Sequence, residues 1–369
     1  MKYLLYCILL FISSELFSNN QEKGYVIRAS LTGFSDSTKF SLKNLNTDEV
    51  VNSAILLNGK FAMEGTFDDG PELLWLYTYS AGHFKYTNLF ISNENVLIAG
   101  DIKDFPSNLQ ITGSTIQDDY TLLLSLTKKY EPERDSLLSC LMKLPINEQE
   151  GKGKVISDRV KSIDDTCFKL RLGYIKANLN TYPAILYLGY MKNELPKDTV
   201  RQLFNKLSPE MKAFKLSKSI EIFLKDKILE VGDPCYNFEA INPKGEKVTL
   251  LEISTPYILL DFTTAYCGPC MQSISELKKV FEIHKDSLMI VSFSADNKKE
   301  VWLNAVDRDK ITWTSFWNGN GIYSETCIRY GVQGFPTFIL IGPDRKIADK
   351  WSGYGKGMLI AKLKSIIKY

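Results

Sequence analysis

YILLDFTTAYCGPCMQS, running from Tyr257 to Ser273, joins an apolar segment to two closely spaced cysteines. The β-favouring run from Tyr257 to Phe262 suits a buried central strand, and Thr263 to Ala265 forms a small-residue turn after it. Beyond Cys267-Gly268-Pro269-Cys270, apolar residues recur at three- and four-residue steps from Met271 through Ile274, Leu277, Val280 and Phe281 to His284. That spacing predicts an amphipathic helix with both cysteines on its first turn. The unpaired N–H groups there carry partial positive charge and stabilise a thiolate, while Pro269 costs little because a first-turn N–H has no helical partner. Cys267 is read as the exposed thiol and Cys270 as the one beneath it.

A thiol with an ordinary pKa is about 3% ionised at neutral pH, and one lowered to roughly 7 is about half ionised, so Cys267 gains over tenfold in reactive form. Asp261 stands six residues before Cys267 in an otherwise apolar strand. Its carboxyl is expected to be buried, with a raised pKa, and able to exchange a proton with Cys270. The plainer alternative is a half-exposed aspartate at a strand end.

Asp261-Phe262, Cys267-Gly268-Pro269-Cys270 and Gly334-Phe335-Pro336-Thr337 before the apolar run Phe338 to Ile341 together resemble thioredoxin. More closely, they resemble the exported thiol-disulfide oxidoreductases of the TlpA/ResA type. The resemblance covers about residues 229–369, and the 66 residues from Cys270 to Pro336 match that family's additional strand and helix. It implies a cis Pro336 beside the cysteines, a Phe335 backbone that pairs with substrate, and substrate contacts from Tyr266, Gly268 and Pro269. Tyr266 stands where the family usually has tryptophan, Ser273 where it often has glutamate, and Ser275 where a proline usually kinks the helix.

The 369-residue chain is 44% apolar and carries 45 basic against 43 acidic side chains. The apolar content is ample for packed cores, and the near-balance of charge gives no footprint for nucleic acid or an anionic membrane. Residues 1–18 read as a secretory signal, with an apolar run from Tyr3 to Ile12 and cleavage after Ser14 or Ser18. A buried N-terminal strand is the alternative. Cys7 lies inside the apolar run after Tyr6, which argues against a lipid anchor. The protein is therefore expected in the periplasm or cell envelope, and no later run has the length of a membrane span.

The remaining chain divides by pattern. Residues 21–116 alternate in short runs broken by Gly, Asn and Asp, which predicts an all-β, sandwich-like domain with a hairpin turn at Asn58-Gly59. Asn58-Gly59-Lys60-Phe61 resembles the domain of unknown function that often precedes thioredoxin-like domains in exported Bacteroidetes proteins. The aromatic run Trp75, Tyr77, Tyr79, Phe84 and Tyr86 is read as core packing and sheet ladder, with a ligand face as the alternative. Residues 117–228 take helical periods, including one predicted helix from Met211 to Leu224, and form a helical linker domain. Gly151-Lys152-Gly153-Lys154 lacks the strand and spacing of a phosphate loop. Residues 229–369 alternate strands and helices and predict an α/β thioredoxin fold with a mixed sheet.

Six cysteines follow the signal, and their pairing is not fixed by spacing. Cys140 and Cys167 are either bridged between neighbouring helices or free, whereas Cys235 and Cys327 are read as core residues. A zinc site on Cys267 and Cys270 would need two more ligands, and the chain has only His83 and His284. No metal or other cofactor is expected. The predicted function is reduction of disulfides in exported proteins through Cys267 and Cys270, with Asp261 as acid-base group. The family resemblance implies a membrane thiol carrier as electron donor. Two other classes remain open at this point. Thr264, three residues before Cys267, matches one position of the peroxiredoxin motif, although Leu260 occupies its proline position. A binding module with a vestigial dithiol is the third reading.

Overall fold

A computed structural model describes residues 24–367, apart from residues 48, 69, 81, 146 and 147. The predicted signal at 1–18 and Cys7 lie outside the described residues.

The N-terminal strands are β1 (Tyr25–Thr32), β2 (Lys39–Asn44), β3 (Val50–Ile55), β4 (Lys60–Gly65), β5 (Glu72–Ser80), β6 (His83–Ile91), β7 (Asn95–Asp101) and β8 (Gln110–Thr112). They form two four-stranded sheets, ordered β4-β1-β7-β8 and β3-β2-β5-β6. Alternate residues of each sheet meet in one core, with Ile27, Phe61 and Val96 facing Phe40, Leu42 and Leu76. Asn58 and Gly59 do make the tight turn, at φ 50° and 70°, and Leu57 and Lys60 close it with two backbone hydrogen bonds. The strands it joins then part. β3 pairs with β2 and β4 with β1, so the turn crosses between sheets and the predicted hairpin ends after one bridge. Leu56 between them is fully buried, and its insertion into the core accounts for the divergence.

The aromatic run forms a ladder, but on the outer face of its sheet. Leu74 and Leu76 occupy the core, so alternation turns Trp75, Tyr77 and Tyr79 the other way. β6 starts at His83, and its Phe84 and Tyr86 pair across to Tyr79 and Tyr77.

The helices are α1 (Thr115–Lys128), α2 (Glu131–Lys143), α3 (Lys154–Ala177), α4 (Tyr182–Met191), α5 (Lys197–Asn205), α6 (Pro209–Ala213) and α7 (Lys215–Lys225). The single helix predicted from Met211 to Leu224 is two helices. Phe214 takes an extended conformation between them, and its buried ring packs on Tyr182 at 4.8 Å. The helical core also covers Leu73 and Phe90 from the outer face of the β3-β2-β5-β6 sheet, so the first two regions share one apolar cluster.

The C-terminal region contains β9 (Glu239–Ile241), β10 (Lys247–Thr249), β11 (Tyr257–Thr263), α8 (Gly268–His284), β12 (Leu288–Ser294), α9 (Lys299–Arg308) and β13 (Thr314–Trp317). It continues with α10 (Glu325–Arg329), β14 (Thr337–Ile341), β15 (Ile347–Ser352) and α11 (Met358–Ile366). The seven strands order as β10-β9-β13-β12-β11-β14-β15, with β11 parallel to β12 and antiparallel to β14. Five consecutive buried residues, Ile258 to Phe262, explain why β11 takes an interior place. Leu260 and Phe262 face one apolar core with Phe293 and Tyr330, and Leu259 faces the other with Leu277 and Val280 of α8. Asp261 therefore shares the face that α8 covers. Buried Glu276 of α8 accepts hydrogen bonds from the Gly357 and Ile360 N–H groups and the Tyr354 hydroxyl, which ties α8 to the start of α11.

Candidate active site

The chain leaves β11 at Thr263 and enters α8 at Gly268, and Cys267 caps that helix. Its Sγ accepts a hydrogen bond from the Cys270 N–H at 3.2 Å, so an unpaired helix-start donor points at the sulfur. Cys267 and Cys270 are joined as a disulfide with their Cα atoms 5.2 Å apart, inside the usual range. Cys267, expected as the exposed thiol, is half-buried, and Cys270 beneath it is only 2% exposed. Gly268 and Pro269 are exposed on the first turn, and Tyr266 beside Cys267 is exposed as well. Ser273 is buried and donates to the Cys270 carbonyl at 2.7 Å, and α8 runs unbroken past Ser275.

Asp261 is buried, not a half-exposed strand end. Its Oδ2 accepts from the Ser292 hydroxyl at 3.0 Å, Ser292 in turn accepts from Trp313 Nε1 at 2.9 Å, and Oδ1 has no hydrogen-bond partner among the described residues. Burial pushes the Asp261 carboxyl up to about 7, and the Ser292 hydrogen bond offsets part of that rise. The group is thus poised to take or give a proton near neutral pH, at the strand from which the cysteine turn emerges.

The third sequence element comes to the same end of the sheet. β14 lies against β11 with Thr337 opposite Phe262, so Phe335 and Pro336 lie just beyond the end of that ladder, where the cysteine turn departs. The Phe335–Pro336 bond is cis. Pro336 is buried, its carbonyl accepts from the Gly353 N–H at 2.8 Å, and no backbone hydrogen bond engages Phe335 among the described residues.

Two residues that hold the turn have no signal in the local sequence. Asp296 receives the Ala265 N–H on both carboxylate oxygens, at 3.1 and 3.2 Å, and Arg308 Nη1 donates to the Ala265 carbonyl at 2.7 Å. Ser294 and Trp317 fix Asp296 in place through its carboxylate and its carbonyl. Both backbone groups of the residue two before Cys267 are therefore held by side chains from other elements.

Among the described residues the other cysteines are free thiols: Cys140 is exposed, Cys167 and Cys327 are buried, and Cys235 is intermediate. Arg134 of α2 meets Asp164 of α3 at 2.6 Å. At 1.5 Å per residue on antiparallel helices, that contact leaves Cys140 and Cys167 about 13 Å apart along the axis. No bridge spans that distance. Burial pushes the Cys327 thiol up to about 12, which makes it inert.

The Asp261 shift has a consequence for stability. A carboxyl raised from an unfolded value of about 3.9 to about 7 contributes stability that is complete below pH ~4 and lost as pH rises through 7. The loss amounts to about 4 kcal/mol. Asp261→Asn is expected to remove this dependence, so that the oxidised variant is more stable than the parent at about pH 8 and no more stable near pH 4. Urea unfolding at the two pH values checks it, and parallel stability curves for parent and variant would contradict it.

Comparison with known proteins agrees with this geometry. Residues 256–347 match the thioredoxin-like family, and residues 25–120 match a domain of unknown function (DUF4369). The thioredoxin-like protein YneN of Bacillus subtilis is 25% identical over 128 residues, spanning 34% of this chain and 73% of that protein. Among solved structures, the thioredoxin domain of a thiol-disulfide oxidoreductase from Bacteroides vulgatus is 28% identical, covering 38% of this chain and 99% of its own, with a TM-score of 0.35. A thiol-disulfide oxidoreductase from Bacteroides fragilis is also 28% identical, covering 37% of this chain and 100% of its own, with a TM-score of 0.34. Residues 256–347 thus belong to a thioredoxin-like domain, in agreement with the thioredoxin resemblance of the sequence motifs.

Proposed function

We propose that the protein reduces disulfides of exported proteins through Cys267 and Cys270, by way of a mixed disulfide. The observation that carries this reading is the pairing of an accessible Cys267 on a helix start with a buried Cys270 one turn inside it. In the reduced protein the Cys267 thiolate attacks one sulfur of the substrate disulfide, and the other substrate sulfur leaves and takes up a proton. Asp261 then accepts the proton of Cys270, and the new thiolate attacks Cys267 Sγ. The second substrate sulfur leaves, so that two electrons have passed to the substrate and the Cys267–Cys270 disulfide remains. A thiol donor must return those electrons, and a membrane thiol carrier fits the family resemblance.

The unengaged Phe335 backbone, next to Pro336, offers an N–H and a C=O to an extended substrate segment, while Tyr266, Gly268 and Pro269 surround Cys267 on the exposed side. The reductive direction is supported by the Gly268-Pro269 dipeptide, which is that of thioredoxin, a reductant. Insulin reduction by the full chain with dithiothreitol as donor tests the reading. Turnover above the rate with dithiothreitol alone is expected, and it should vanish in Cys267→Ser. Consumption of hydrogen peroxide in preference to insulin would favour a thiol peroxidase instead.

A further inference from the structure

The β3-β2-β5-β6 sheet carries, on its outer face, five aromatic rings that the helical region does not bury. Tyr77 stands opposite Tyr86 and Tyr79 opposite Phe84, with Trp75 next along β5. Their rings touch in sequence: Trp75 to Tyr86 at 5.1 Å, Tyr86 to Phe84 at 5.6 Å, and Phe84 to Tyr79 at 5.2 Å. None belongs to an apolar core, and Tyr79 and Phe84 are 70% and 40% exposed. A contiguous exposed aromatic strip of this kind marks a contact surface more often than an inert one.

The strip is closed at one end, and at its middle it opens sideways across the neighbouring strands. Leu73 and Phe90, on the same face, are buried under the helical region. Tyr77 instead opens onto a cleft of about 680 Å³, whose other walls include Val50 and Lys43 of the β module and Tyr266 and Lys298 of the thioredoxin-like domain. Tyr266 is the residue before Cys267. The walls are pinned to each other by the Lys298–Glu49 ion pair at 3.0 Å and by the Tyr323 hydroxyl donating to Asn46 Oδ1 at 3.0 Å. One cleft therefore runs from the aromatic strip to the residue adjoining the reactive cysteine.

We propose that the β domain is the substrate-selecting half of the active site, and that the strip and cleft bind an extended polypeptide segment with aromatic or aliphatic side chains beside its disulfide. This rests on the reductase reading of Cys267 and Cys270. The occupant follows from continuity: a chain lying along the strip and through the cleft reaches Tyr266, so it must present its sulfur to Cys267. The strip offers ring faces, which suit apolar side chains of an incompletely folded protein. A small disulfide would reach Cys267 without touching Tyr79 or Phe84.

The test uses the full chain and the double variant Tyr79→Thr/Phe84→Thr, since both rings are exposed and threonine suits a strand. The first probe is a short fluorescein-labelled peptide with tryptophan and leucine flanking two serines in place of cysteines, followed by fluorescence anisotropy. Binding by the parent and roughly tenfold weaker binding by the double variant are expected from the loss of two ring contacts. No binding by the parent, or equal binding by both, overturns the proposal. The second probe is the same peptide with its cysteines restored and oxidised, compared with dithiobis(nitrobenzoic acid). The ratio of peptide to small-molecule reduction rates is expected to fall by the same factor in the variant, and an unchanged ratio overturns the proposal. Because the first probe contains no sulfur, binding of it without reduction of either disulfide would support the surface and overturn the reductase reading alone.

Discussion

Cys270→Ser is expected to leave the protein joined to its substrate through Cys267, with turnover lowered roughly 10³-fold or more by loss of an intramolecular attack. Cys267 is the sulfur a protein substrate can reach, because it caps α8 half-buried while Cys270 is 2% exposed. Its thiolate is favoured by the Cys270 N–H directed at Sγ, an interaction the serine backbone still supplies. The first step therefore proceeds in the variant and the second does not. Cell-envelope extracts passed over tagged Cys270→Ser protein should give covalent complexes that dithiothreitol releases, and Cys267→Ser should give none. If Cys267→Ser traps partners and Cys270→Ser does not, the two sulfurs have exchanged roles.

Asp261→Asn is expected to slow the second step by about 10² to 10⁴ at neutral pH while leaving the fold intact. Burial holds the parent carboxyl at about 7, so the fraction able to accept the Cys270 proton rises through that pH and the resolution rate rises with it. Asparagine keeps the shape and an acceptor oxygen for Ser292 but takes no proton. Resolution must then wait for unassisted ionisation of Cys270, and the inflection near 7 should disappear. Stopped-flow release of thiol from a preformed mixed disulfide checks this. An unchanged rate from about pH 6 to 9 would remove Asp261 from the mechanism.

Local periodicity made the dithiol turn, β11 and α8 legible, because a buried strand, a first-turn proline and an apolar stripe each leave a pattern in consecutive residues. Asp261 was legible for the same reason, as a charge in an apolar strand. Asp296 and Arg308 were not, since they hold Ala265 from 31 and 43 residues away and nothing near Ala265 requires them. The divergence after Asn58-Gly59 was hidden because the turn chemistry is the same whether its strands stay paired or part. No proline or glycine marks the break at Phe214, where its ring packs on Tyr182 and the Ser217 hydroxyl donates to the Met211 carbonyl. The aromatic ladder was ambiguous because β5 is apolar on both faces: Leu74 and Leu76 compete with Trp75 and Tyr77 for the core, and burial decides between them.

If the Cys267–Cys270 couple delivers electrons to other disulfides, as proposed, its reduction potential must be low. The thioredoxin couple lies near −270 mV and that of the strong oxidant DsbA near −120 mV, a difference of roughly 7 kcal/mol that small local changes cannot hide. Equilibration of the full chain against glutathione and dithiothreitol buffers, with the free thiols counted at each step, gives the value. A potential near the thioredoxin end, at about −270 mV, is expected. A potential above about −180 mV, where isomerases and oxidants lie, would contradict it and leave an oxidase or isomerase in its place.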